Sequence, residues 1–342
     1  MRITNMMMVN SMNYNLNKNL NNMNTMYTKM STGKSFQKSS ENPVASSKSI
    51  RYTSQISEIE QYQSNAADAE ARLDVTESAI DSVEDILERT RELLVQASND
   101  TLSTSDRDAI NAEIEELNDQ LLEVSNTTYA GEYIFGGYNV TKEPFAKSDD
   151  DLLAYNDEIV NLTGPYPSTM SNADILSLYS TYETEQLENG DSNENIIYRI
   201  GENSEVDVNI EGQEIFGIGE DSIFSVMNKI SMAIDGQDSC KIVDPPSVKE
   251  EELDLSALIG DLDKCLENVR SVKADVGAKR SYVQMSSNRL SQDHYTYTSL
   301  LSTNEDADIA KVSMELANAE SVYNASLAAG SKIIVPTLVD YL

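Results

Sequence analysis

The residues able to do chemistry are few and poorly grouped. His294 is the only histidine of the 342-residue chain, set between Asp293 and Tyr295. With one imidazole, no nucleophile–base–orienter set can be assembled. A phospho-accepting histidine on a coiled coil would need a nucleotide-binding domain, and only 48 residues follow His294. A helix-surface or packed histidine is the expected reading. Cys240 and Cys265 stand alone, outside any C-x-x-C, so no disulfide framework exists and their pairing stays open. Gly217-Ile218-Gly219 lacks the third glycine of a dinucleotide loop, and Gly136-Gly137 lacks the Lys-Ser/Thr of a phosphate loop. Asp149-Asp150-Asp151 and Glu250-Glu251-Glu252 place acids side by side. A calcium loop alternates its ligands around a central glycine, so solvated charge is the better reading. No catalytic, cofactor or metal site is expected.

Charge points away from nucleic acid. Lys and Arg number 25 against 58 Asp and Glu, a formal net charge of −33. A polyphosphate would be repelled. The imbalance is regional: residues 1–57 hold seven bases and one acid, whereas 140–254 hold 26 acids and six bases. A near-neutral or basic end can lie against another subunit while the acidic middle stays solvated. No stretch reaches the roughly 20 apolar residues of a membrane span. The opening Met1-Arg2-Ile3-Thr4-Asn5 leads into methionines and asparagines, so an ordinary signal peptide is not expected.

The elements behind this pattern are long helices. Prolines are absent from 44–143 and 247–335, and no glycine occurs from Lys34 through Ala130. Ile59, Tyr62, Ala66, Ala69, Leu73, Thr76, Ile80, Val83, Leu87, Thr90, Leu94 and Ala97 recur in steps of three and four, the period of a coiled-coil seam. Asn42 as N-cap and Pro43 at the first helical position start that helix. A turn is expected at Asn99-Asp100-Thr101. Beyond it Ser105-Asp106-Arg107-Asp108 resembles a capping box for a stripe through Ile110, Ile114, Leu117, Leu121 and Val124. A third stripe runs from Leu255 to Leu290. A fourth holds Ile309, Val312, Leu316, Ala319, Tyr323 and Leu327, started by Thr303-Asn304-Glu305-Asp306 and ended by Pro336. Between the halves lie strand-like runs: Ile196 to Ile200, the alternating Val206, Val208 and Ile210, and Ile215-Phe216-Gly217-Ile218. The fold class expected is mainly α: a long antiparallel helical rod or coiled coil made from both chain ends, with a small central β or α+β insertion.

The amino-terminal stripe is Met12, Leu16, Leu20, Met23, Tyr27 and Met30. Nine asparagines in the same thirty residues cost on the order of 5 kcal/mol of helix propensity relative to alanine. A lone helix of this length is already marginal. The segment is therefore expected to order on docking, against the carboxy-terminal stripe and neighbouring subunits. The plainer alternative is an ordinary helix packed on one core. Amphipathic membrane binding is the weaker reading, because the polar face is rich in asparagine rather than lysine.

These motifs carry a family resemblance. Met1-Arg2-Ile3-Thr4, Met30-Ser31-Thr32-Gly33-Lys34 and Ser39-Ser40-Glu41-Asn42-Pro43 are similar to the opening of the flagellin superfamily, with Asn42 where Asp is common. Thr101 to Asn126 is similar to that family's next helix. Asp275 to Arg280, Asn288-Arg289-Leu290, Asn304 to Ala310 and the closing Leu338 to Leu342 resemble its carboxy-terminal half. Gly131-Glu132-Tyr133-Ile134-Phe135-Gly136-Gly137-Tyr138, followed by Pro144-Phe145, resembles the hook-associated protein 3 branch, the second of two hook–filament junction families. The resemblance covers about 1–145 and 255–342; the stretch of about 146–250 matches nothing specific.

The resemblance implies a structural, non-enzymatic adaptor joining hook to filament, exported through the flagellar type III apparatus to the cell exterior. Its partners would be itself in a ring or helical lattice, the first hook-associated junction protein, flagellin or the filament cap, and an export chaperone. It implies an assembly helix and turn over 1–42, a rod domain over 43–145 and 251–302, an outward β-rich insertion over 146–250, and an assembly helix over 303–342. The two terminal stripes would be the subunit interface. A filament subunit of flagellin type is the alternative. A signalling coiled coil or an enzyme working through the insertion is the alternative of another class.

Overall fold

The structure is a computed structural model that describes residues 5–98, 103–137, 139–147, 153–156, 158–159, 164–186, 196–244 and 247–333. It is dominated by α1 (Asn5–Thr32), α2 (Pro43–Ala97), α3 (Thr104–Ser125), α7 (Leu255–Glu305) and α8 (Ile309–Ile333). The chain divides into two compact units, one of Met1–Gln61 with Ser291–Leu342 and one of Tyr62–Leu290. The boundaries fall inside α2 and α7.

In the Tyr62–Leu290 unit, the seam of α2 is buried from Ala66 to Ala97 as the period requires. A second buried row, Arg72, Ala79, Ile86 and Leu93, recurs at seven-residue spacing beside it. Two buried rows on one helix mean more than one neighbour. From α7 come Leu258, Leu262, Cys265, Leu266, Val269, Val276 and Val283, and from α3 Ile110, Ile114 and Leu121, all in the same apolar cluster. Ion pairs flank the α2–α7 seam. Arg91 meets Asp263 at 2.6 Å, Arg270 meets Glu84 and Glu88 at 2.6 Å each, and Lys273 meets Asp81 and Glu84 at 2.8 Å each. Arg280 meets Glu77 at 3.0 Å and also pairs with Asp74.

Among the described residues, the middle of the chain forms four small antiparallel sheets. They are the hairpin β1 (Thr128–Tyr129)–β2 (Glu132–Tyr133); β3 (Phe145–Lys147), β4 (Leu153–Tyr155) and β5 (Glu158–Ile159) in that order; the hairpin β7 (Ile197–Gly201)–β8 (Ser204–Asp207); and β6 (Tyr166–Pro167), β9 (Ser239–Asp244) and β10 (Ser247–Glu252) with β9 central. They are accompanied by α4 (Asn172–Gln186), α5 (Gly212–Phe216) and α6 (Ile223–Ile234). Most of this middle is continuous with the helical core, since Tyr155, Val208, Phe216, Phe224 and Ile230 belong to the α2–α7 cluster. A second, small cluster of Tyr166, Ile175 and Val243 holds the remainder.

Three local expectations are corrected. The capping box of α3 is Ser103 with Asp106, not one begun at Ser105: Asp106 N donates to Ser103 Oγ at 3.3 Å and Ser103 N to Asp106 Oδ2 at 3.2 Å. Thr303 to Asp306 does not open the last helix. Asn304 and Glu305 still belong to α7, with Asn304 Nδ2 donating to Ala45 O and Ser49 Oγ, and Asp308 caps α8 by accepting from Lys311 N at 3.1 Å. Ile215-Phe216 is helical rather than extended, because α5 turns Phe216 into an aromatic cluster. The turn at 99–101, the acids at 149–151, Pro336 and Leu342 lie outside the described residues.

Candidate assembly surface

The Asn42 carboxamide accepts from Ala45 N at 3.1 Å, and Pro43 is the first residue of α2, as the sequence requires. At the end of α1, Gly33 takes φ 69°, a conformation only glycine adopts freely, and its N–H donates to Lys29 O at 2.9 Å. The strand-like passage that follows meets the α7–α8 turn. Ala307 N donates to Gly33 O at 2.7 Å, Ser35 N donates to Glu305 O at 2.6 Å, and Lys34 Nζ lies 2.6 Å from Glu305 Oε2. The Lys34 ammonium, with a smaller contribution from the Ser49 hydroxyl, holds the Glu305 carboxyl below its ordinary range against some desolvation. The Gly33-Lys34 and Asn304–Asp308 motifs, some 270 residues apart, thus form one elbow.

From this elbow α1 and α8 pair with each other. On α1 the half-buried side chains are Val9, Met12, Leu16, Asn19, Met23, Met26, Thr28 and Lys29; Leu20, Tyr27 and Met30 are exposed. On α8 Val312 is buried and Leu316, Ala319, Tyr323 and Ser326 are half-buried, while Ile309 and Leu327 are exposed. The predicted stripes therefore split. Met12, Leu16, Met23, Val312, Leu316, Ala319 and Tyr323 face the intramolecular seam. Leu20, Tyr27, Met30, Ile309 and Leu327 do not. With Met6, which is 76% exposed, Leu20 and Tyr27 form a second row of α1 at multiples of seven residues. Sequence reading missed Asn19, Ser326 and Gly330 as seam members because they are polar or small. The strict three–four step from Met12 and Leu16 carries directly onto Asn19.

The motif residues of the middle are structural. Phe135, Phe145, Phe216, Phe224 and Tyr155 form one cluster with ring centroids 4.9–5.7 Å apart. Tyr155 Oη donates to Phe135 O at 2.8 Å and accepts from Gly212 N at 3.0 Å. Burial pushes the Tyr155 phenol up to about 12. A methyl on Gly136 would collide with Asn139 O, and Gly137 takes φ 63°. Pro144 is buried and Tyr133 half-buried. Arg280 sits in the ion-pair row and Leu290 is buried, whereas Asn288 is exposed. His294 Nε2 lies 3.4 Å from Glu60 Oε1 at a half-buried position. Cys240 and Cys265 are buried free thiols, each pushed up to about 11 by burial.

The family model of the bacterial flagellin N-terminal helical region matches residues 3–140. Over those residues the chain is similar to bacterial flagellin. The chain is 35% identical to flagellar hook-associated protein 3 of Escherichia coli over 119 residues, 34% of this chain and 38% of that protein. It is 24% identical to polar flagellin F of Vibrio parahaemolyticus over 86% of each. The match thus spans little more than a third of the length of hook-associated protein 3. The fold is similar to the crystal structure of hook-associated protein 3 from Legionella pneumophila, with a TM-score of 0.54 at 16% identity, covering 74% of this chain and 98% of that one.

Proposed function

We propose that this chain is a structural adaptor of the bacterial flagellum, exported and placed where hook meets filament, and that it assembles through α1 and α8. The observation that carries the reading is the apolar row Leu20, Tyr27 and Met30, left exposed on a helix whose other face is already used. Residues 1–42 and 303–342 act as assembly segments, 43–145 and 251–302 as the rod, and 146–250 as the outward acidic lobe. Copies of itself, the first hook-associated junction protein, flagellin or the filament cap, and an export chaperone are the partners. Its work is mechanical rather than catalytic.

The test is a strain lacking this chain, complemented with the parent or with L20D/Y27D. The parent restores motility. The double variant is expected to be secreted and folded, with unchanged thermal unfolding, yet to leave cells non-motile and shedding unpolymerised flagellin. Full motility with L20D/Y27D would overturn the proposed interface. The flagellin reading draws on the alignment with polar flagellin F over 86% of each chain. Immunogold labelling separates the two: an adaptor marks one narrow band, a filament subunit the whole length.

A further inference from the structure

Along the seam between α1 and α8, polar or small residues stand among the apolar ones at Asn19 with Ser326 and at Gly330, as well as at Thr28, Lys29 and Ser313 nearer the elbow. Asn19 Nδ2 donates to Ser326 Oγ at 2.9 Å, a half-buried bond between residues 307 apart in sequence. One turn further along α8, Gly330 is buried, and a methyl there would run into Met12 Cε and sit 2.8 Å from its Sδ. The tip of Met12 therefore occupies the space that Gly330 leaves open. The asparagines of α1 at 10, 13, 15, 17, 21, 22 and 24 are exposed.

The rest of the seam is permissive. Leucine, methionine and alanine at seven-residue intervals pack almost as well after one side slides by a heptad, and methionine adapts to a changed neighbour. A half-buried carboxamide is not permissive. Slid by seven residues, Asn19 would face Ala319 rather than Ser326, and Ser326 would face Met12 or Met26. Asn19 would lose its partner while remaining partly screened from water, and Ser326 would keep only its bond within α8, to Val322 O at 2.7 Å. A single polar residue in an apolar seam is known to fix alignment at a cost in stability.

We propose that Asn19 and Ser326, seconded by Met12 seated over Gly330, fix the register of the terminal helix pair and select α8 in its native alignment over shifted pairings. The inference deepens the assembly reading above, but its test reads alignment in the purified full-length chain and does not depend on any role at the hook.

Two cysteine pairs serve as reporters, with buried Cys240 and Cys265 left in place. Counting eleven residues towards the elbow on each helix from Met12 over Gly330 puts Met23 opposite Ala319, so M23C/A319C is designed to report that alignment and M23C/V312C a one-heptad slide. After mild oxidation, cross-linked peptides are identified by mass spectrometry. With Asn19 and Ser326 intact, only the first pair is expected to link. In N19L/S326L both pairs should link, the slid pair rising by roughly tenfold, while helicity by circular dichroism stays equal or increases. N19A/S326A adds no bulk and should slide as well. If both double variants keep the native link alone, apolar shape sets the register and the proposal fails. If G330L slides fully while N19L/S326L does not, Met12 and Gly330 are the lock and the proposal fails likewise.

Discussion

The α2–α7 pair within Tyr62–Leu290 and the α1–α8 pair are written in the same three–four period, yet only the first is buried. Along α2, Leu73, Ile80, Val83, Leu87 and Leu94 are fully enclosed. On α1 no described side chain is, and on α8 the enclosed apolar side chain among those described is Val312. The difference lies in what stands beside the seam. α2 has a second buried row, an ion-pair row and the aromatic cluster; α1 has asparagines. Periodicity pairs two helices, but a second layer makes the pair independent, because two helices alone enclose little.

The largest effect expected from this contrast is Leu87→Ala. It empties a closed site and should cost about 3–5 kcal/mol in urea unfolding followed by far-UV circular dichroism. The matching Leu16→Ala on α1 should change the same transition by under about 1 kcal/mol. Equal losses would erase the distinction between the two pairs. Gly212→Ala comes next. Its methyl would sit 2.6 Å from the Phe145 ring and 2.7 Å from that of Tyr155, and overpacking of that kind costs about 1–3 kcal/mol. Gly212→Ala should also raise tyrosine fluorescence exposure without altering the terminal helices.

The same contrast governs what could be read from sequence. The seams of α2 and α7 were legible because large aliphatics repeat without interruption, and the Asn42-Pro43 start because cap chemistry is local. The Asn304 segment misled because its carboxamide is used across the elbow, to Ala45 and Ser49, a contact no local pattern announces. Helix α6 was legible and missed: Ser222 caps it, and Ile223, Val226, Met227, Ile230 and Ile234 repeat at helical spacing. The role of Gly212 was not legible, since it exists only where two aromatic rings from elsewhere in the chain converge. On α1, residue type alone favoured Leu20 and Tyr27 over Asn19 and Met26, which put exposed residues into the predicted seam.

A smaller effect tests the elbow. Asn42→Ala removes the acceptor for Ala45 N and should cost about 1 kcal/mol, seen as faster amide exchange over the first turn of α2 with the Tyr62–Leu290 unit unaffected.

The smallest effects are electrostatic and set the two regions side by side by pH. Lys273, then Arg270, hold the Glu84 carboxyl below its ordinary value of 4.5. Lys34 does the same for Glu305. A carboxyl whose pKa is depressed on folding contributes its full stabilisation above the unfolded value, and loses it as pH falls through the folded one. Both contributions are therefore intact at neutral pH and fade below about 4.5. Each pair is partly open to solvent, so each is worth under about 1 kcal/mol and is weakened by salt. Glu84→Gln should flatten the acid limb of the melting curve of the Tyr62–Leu290 unit between pH 5 and 3, a span set roughly by ordinary carboxylate titration. Glu305→Gln should leave that limb untouched and instead hasten amide exchange at Ser35 and Ala307, the two N–H groups that close the elbow. An acid limb that responds equally to both substitutions would mean that the two regions unfold as one, and that the thinness of the α1–α8 seam has no energetic consequence.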